Sequence, residues 1–170
     1  MLCFILYVLY IIYLYTHSYI YIFISIYIVL SIFYRKLHRE LTFDDPKGFL
    51  CVYVGRISKE KRIETIFEAI SSLDNVYLAL IGDGPTANQW AELHSKSNKL
   101  YCKPKFLSHE DLAEIYASSD LHVSASEFET LGNTVLEAQA SNIAVVVPET
   151  QVCLYEFCHY TGGYIFIYAI

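Results

Sequence analysis

FLCVYVGRISKEKRIETIFEAI, residues 49–70, reads as a strand, a turn and a helix in direct succession. Phe49–Val54 is a short run of apolar, β-branched and aromatic residues, the composition of a buried strand. Past the turn, Ile63, Ile66, Phe67 and Ile70 recur at i, i+3, i+4 and i+7, which lays one apolar stripe along a helix. Similar short runs follow at Val76–Ile81, Leu100–Lys103, Leu121–Ser124 and Ile143–Val147, alternating with segments of helical period. That alternation predicts βαβ units and a parallel sheet, an α/β fold of Rossmann-like type. The segment Ala144–Val147 is apolar at every position, as a strand covered on both faces must be, and is expected near the sheet's centre.

The helix boundaries carry their own signals. Pro85 is expected at a first helical position after Gly82-Asp83-Gly84. Ser108 is a good N-cap, with Asp111 three residues on, ahead of the stripe Leu112, Ile115 and Tyr116. Asn142 follows the next helix at a place that calls for a left-handed residue.

The turn after Val54 excludes the commonest function of such a sheet. A dinucleotide site needs G-x-G-x-x-G directly after the first strand so that backbone can approach a pyrophosphate. Here a single Gly55 is followed by Arg56, Ile57, Ser58, Lys59, Glu60 and Lys61. Side-chain cations replace bare backbone, and an Arg fork with a Lys point charge suits a diphosphate. A second cluster, SEFETLGNTVLEA at 126–138, sets Glu129 and Glu137 eight positions apart across a strand-loop-helix junction. With a helix starting near Gly132, the residues Asn133, Thr134 and Glu137 share one side of its first turns, where backbone N–H groups are unpaired. Such a junction offers donors to phosphate or sugar oxygens and carboxylates to sugar hydroxyls.

Composition divides the chain. Residues 2–34 contain no Asp, Glu, Lys, Arg, Gly, Ala or Pro, and all 12 basic and 18 acidic residues lie from Arg35 onward. The net charge of -6 and the absence of a basic stripe argue against a nucleic-acid partner. Five cysteines without a C-x-x-C pair, and no Asn-x-Ser/Thr sequon, favour a reducing compartment and argue against a zinc site or a disulfide scaffold. The N-terminal run is long enough to span a bilayer, and Arg35, Lys36 and Arg39 behind it would keep the following domain on the cytosolic side. A second origin stays open, because eight Tyr and nine Ile fill 17 of these 33 positions and Tyr-Ile alternation is what an AT-rich non-coding repeat encodes. The tail, 152–170, has the same character.

Together, Val54–Lys61, Leu80–Pro85, Tyr116–Asp120 and Glu129-x7-Glu137 with Ala138 resemble the C-terminal domain of family 4 retaining glycosyltransferases. Residues 126–132 and 135–138 look most like the sulfoquinovosyltransferase group of sulfolipid synthases. The resemblance covers residues 49–151 and implies one half of a GT-B fold, incomplete at its C-terminus, that holds a nucleotide-diphosphate sugar, UDP-linked in that group, without metal or cofactor. By the same resemblance Gly55, Arg56 and Lys61 would hold the diphosphate. Glu129 would be the catalytic carboxylate at the donor sugar, Glu137 would take the ribose hydroxyls, and backbone at Leu131, Gly132, Asn133 and Thr134 would meet sugar and phosphate oxygens. Phe106 and Leu107 fall in the region beside the base. The acceptor, a lipid or a glycan, would be bound by a second domain, without which transfer is expected to be poor or absent. The membrane enters as a partner through residues 2–34, and a plastid location follows if the sulfolipid likeness extends to function. Gln139, Asn142 and Ala144 depart from the family's usual Met, Gly and Pro, and the glycine-rich turn expected after Pro148 is missing.

Overall fold

Alternate residues of strand β1 (Phe49–Val54) enter two separate cores, because successive strand side chains point to opposite faces. Cys51 and Tyr53 join one, and Leu50 and Val52 the other. The computed structural model describes residues 34–105, 107–126, 133–148 and 165–168. Residues 1–36 and 37–170 form two units, and all the described strands belong to the second. Among the described residues no helix is long and apolar enough to cross a membrane. Residues 2–33 of the apolar run lie outside them.

Five further strands follow: β2 (Val76–Gly82), β3 (Leu100–Pro104), β4 (Leu121–Val123), β5 (Ala144–Pro148) and β6 (Ile165–Tyr168). The order is β3-β2-β1-β4-β5-β6, and every neighbouring pair is parallel. The chain winds outward from β1 to β3, then returns to the other side of β1 with β4. Between β1 and β4 the direction of winding reverses, and in open α/β sheets ligands bind outside the carboxyl ends of the strands at such a point.

Helices cover both faces. The helices α2 (Ile63–Ser71) and α3 (Ala87–His94) bury Ile63, Ile66, Ile70, Ala87 and Trp90 on the face of Cys51 and Tyr53. There Phe67 meets Trp90 edge-on at 5.7 Å between ring centroids. The opposite face takes Ile115 and Tyr116 of α4 (His109–Ala117) and Val135 and Ala138 of α5 (Asn133–Ala140). Leu41, from helical residues 34–41 (α1), is fully buried in the same cluster. The Ser108 hydroxyl accepts from the Asp111 N–H at 3.1 Å, as an N-cap should. Asn142, at φ 60°, ends the turn after α5 in the left-handed conformation expected of it.

Two expectations are corrected. Pro85 is not the first helical residue: Thr86 caps α3, because its N–H and its hydroxyl both donate to the Ile57 carbonyl, at 3.2 and 3.1 Å. The strand at Ala144–Val147 lies one in from the edge, between β4 and β6, instead of at the centre. Both of its faces are nonetheless covered, Val145 and Val147 on one side and Val146 on the other. Apolarity reports coverage by helices, whereas place in the sheet is set by the order of crossovers. The sheet also takes in part of the C-terminal tail, since β6 pairs with β5 from Val145↔Ile165 to Pro148↔Tyr168.

The amino end of the sheet is tied by Asp120. Its carboxylate accepts from the Leu50 N–H at 2.7 Å and lies 3.1 Å from His38 Nε2, while its own N–H donates to the Leu50 carbonyl at 2.9 Å. Asp120→Ala is expected to cost about 1–3 kcal/mol in urea unfolding, because the Leu50 N–H then loses a charged acceptor. A midpoint unchanged from the parent would refute that role.

Candidate functional site

At the carboxyl ends of β1 and β2 two loops lie backbone on backbone. Gly55 N–H donates to the Ile81 carbonyl at 3.0 Å and Ile57 N–H to the Asp83 carbonyl at 2.9 Å. A Cβ on Gly82 would stand 1.9 Å from the Gly55 oxygen, and one on Gly84 2.3 Å from the Ile57 oxygen. These glycines therefore make room for another loop's backbone. The contact fixes the path of the chain as it leaves β1. The Tyr53 hydroxyl then donates to the Arg56 carbonyl at 2.9 Å, and the Arg56 side chain is exposed at the mouth of the resulting cleft.

That cleft, about 650 Å³, is of the size that holds a small-molecule ligand. Its floor is apolar, with Val54, Ile81, Leu107 and Leu112. Among the described residues its charged lining is two cations, Arg56 and Lys105, and two carboxylates, Asp83 and Glu137. Of the residues expected from sequence, the structure brings Gly55, Arg56, Leu107, Thr134 and Glu137 to its wall. Lys61 does not line it. The turn Lys59–Lys61, closed by Arg62 at φ 51°, carries Lys61 towards β4, where its Nζ donates to the buried Ser126 hydroxyl at 3.2 Å. Asn133 is the exposed first residue of α5. Glu129, Leu131, Gly132 and Phe106 lie outside the described residues.

Glu137 is held from behind. The Tyr116 hydroxyl donates to the Thr134 carbonyl at 3.0 Å and approaches Glu137 Oε2 at 3.4 Å. Burial, reinforced by the Glu137 charge, pushes the Tyr116 phenol well above its ordinary range, so it remains a donor. Among the described residues no group of three or more His, Cys, Asp or Glu side chains is placed to hold a metal ion.

Lys105 was not anticipated from sequence. It follows β3, on the far side of β2 from Arg56's strand, and its N–H donates to the Gly82 carbonyl at 3.1 Å. The available signal was positional: a cation just past the carboxyl end of β3, the edge strand that pairs with β2.

The family model described as "Glycosyl transferases group 1" matches residues 35–167, a longer stretch than the 49–151 that carries the motifs. Sulfoquinovosyl transferase SQD2 of Arabidopsis thaliana is 34% identical over 112 residues, 66% of this chain and 22% of that protein. Alpha-monoglucosyldiacylglycerol synthase of Acholeplasma laidlawii is 31% identical over 105 residues, 58% of this chain and 26% of that one. The chain thus spans about a quarter of the length of these relatives. Among solved structures, Anabaena Alr3699/HepE in complex with UDP and glucose superposes with a TM-score of 0.62 at 21% identity, covering 79% of this chain and 38% of that one. The chain therefore belongs to the group 1 glycosyl transferases, and its sheet is the Rossmann-like half of their GT-B architecture.

Proposed function

We propose that this chain is the donor half of a retaining glycosyltransferase, binding a nucleotide-diphosphate sugar in the cleft between Arg56 and Glu137. The observation that carries the reading is the cleft itself, which opens at the carboxyl edge beside the winding reversal and brings Arg56 and Lys105 together with Asp83 and Glu137. Arg56 takes the diphosphate. As the bond from the sugar's anomeric carbon to the phosphate oxygen breaks, negative charge grows on that oxygen, and a fixed guanidinium stabilises it more than it does the ground state. Lys61, which does not line the cleft and whose Nζ donates to the Ser126 hydroxyl, would have to turn from that partner to join it. Glu137 accepts from the ribose hydroxyls, Glu129 meets the donor sugar, and the N–H groups of Leu131–Thr134 contact sugar and phosphate oxygens. Arg56 and Lys105 offer the diphosphate side-chain cations, and no metal is expected to be required.

UDP is the favoured nucleotide, since the similar Anabaena structure holds UDP and glucose, and a lipid is the favoured acceptor, since the similar Acholeplasma protein is named for a monoglucosyldiacylglycerol product. Acceptor recognition belongs to a partner domain, and the chain alone is expected to bind a donor without efficient transfer.

Calorimetric titration of the full chain with UDP tests this. Arg56→Ala is expected to weaken UDP about 10- to 100-fold, the worth of a charge-assisted pair, and to weaken inorganic pyrophosphate similarly. Glu137→Gln should weaken UDP while leaving pyrophosphate unchanged. Absence of saturable UDP binding by folded protein, or an Arg56→Ala variant that binds UDP as the parent does, would overturn the reading.

A further inference from the structure

We infer that Tyr116 is a positioning residue for the donor site: its hydroxyl, shared between the Thr134 carbonyl and Glu137 Oε2, sets Glu137 so that its other oxygen meets the ribose. The inference rests on the proposed role of Glu137.

Three observations carry it. The hydroxyl reaches two consecutive levels of α5, Thr134 at 3.0 Å and Glu137 at 3.4 Å, which are the two α5 residues that line the cleft. One O–H shared between two acceptors favours the closer, so the carbonyl fixes where the hydroxyl sits and the carboxylate is aligned against it. The ring cannot swing away, because Tyr116 is 1% exposed and packs in the cluster of Val135 and Ala138, with the His122 ring 6.0 Å from its own. Glu137 itself is only partly buried, and a glutamate on an exposed helix face samples several rotamers at a cost in entropy when a ligand selects one. A buried donor behind it reduces that cost before the ligand arrives. Oε2 is then occupied by protein and Oε1 is left for the ligand. A carboxylate so divided accepts from a vicinal diol in a single orientation.

Tyr116→Phe removes only the hydroxyl and keeps the ring. The test is calorimetric titration of the full chain with UDP and with inorganic pyrophosphate, in the parent, Tyr116→Phe, Glu137→Gln and the double variant. The expected result is that Tyr116→Phe weakens UDP about threefold to tenfold, leaves pyrophosphate unchanged, and adds nothing in the Glu137→Gln background. A general loosening of the fold would weaken both ligands alike and would repeat its effect in the double variant, and either result overturns the inference. The reading it rests on is judged separately, on the parent and Glu137→Gln alone. If Glu137→Gln weakens UDP while Tyr116→Phe does not, the inference fails and the donor site stands. If the parent shows no preference of UDP over pyrophosphate, both fall.

Discussion

Gly82→Ala is expected to destabilise the protein by about 3 kcal/mol or more and to abolish saturable UDP binding together with it. Two independent costs coincide at this residue. Its φ of +139° is one that side chains rarely adopt, and an added Cβ would stand 1.9 Å from the Gly55 oxygen. The obstacle is backbone, so no rotamer change can relieve it. Relief requires the loops after β1 and β2 to separate, which stretches the bond from Gly55 N–H to the Ile81 carbonyl and the pair from Thr86 to Ile57. Gly55→Ala is a useful contrast. At that position φ is +148°, but the nearest atom is the Tyr53 hydroxyl at 3.2 Å, the far end of a side chain. It should cost less, in the range of about 1–3 kcal/mol for backbone strain alone. Urea unfolding and UDP titration of the two variants measure both effects. A Gly82→Ala protein that unfolds at the parent's midpoint would mean that the two loops do not depend on each other.

This coupling marks where the sequence stops being legible. A Gly-Asp-Gly-Pro run after an apolar strand reads locally as a turn into a helix, with Pro85 as the helix's first residue. What holds Thr86 out of the helix is the Ile57 carbonyl, 29 positions earlier. No periodicity or capping rule reaches that far. A partner of Lys61 is more remote still, 65 positions away at Ser126, so the cationic turn was identifiable while the direction of its lysine was not. Lys105 enters the cleft only because β3 lies beside β2.

Where the signal is local, sequence and structure agree. The stripe on α2, the Ser108 cap and the left-handed Asn142 each depend on residues a few positions apart, and each stands where expected. Tyr116 is a mixed case. The helical stripe accounts for its buried ring, but its hydroxyl serves α5, and apolar periodicity says nothing of a polar tip. Strand β6 fails for a different reason. Ile165–Tyr168 has the same Tyr and Ile composition as the N-terminal run, so composition could not mark it as a strand, and only its pairing with β5 does.

His122 gives the other large effect, through pH. It lies on β4 in register between Val52 and Val145, is 1% exposed, and neither ring nitrogen has a hydrogen-bond partner among the described residues. Burial lowers its pKa from the ordinary 6.5 to about 4. Tyr116 on α4 faces it across 6.0 Å, and Glu137 of α5 reaches only the far hydroxyl of that tyrosine, too remote to hold a charged imidazole in place. Above about pH 6.5 the ring is neutral whether the chain is folded or not. Between there and about pH 4 the unfolded chain binds a proton that the folded one refuses, so stability falls as pH falls, by about 3 kcal/mol across the window. Asp45 draws on a lower range. Its carboxyl is held below the ordinary 3.8 by the Lys47 N–H and the Tyr77 hydroxyl, and that stabilisation is lost only as the pH drops beneath that value. His122→Phe keeps a flat ring in the apolar layer and removes two unpaired polar atoms, so it should match or exceed the parent at pH 7. It should also lose about 3 kcal/mol less than the parent on going to about pH 4. Urea unfolding of both proteins across that range decides it, and parallel pH profiles would show that the buried ring takes its proton inside the fold.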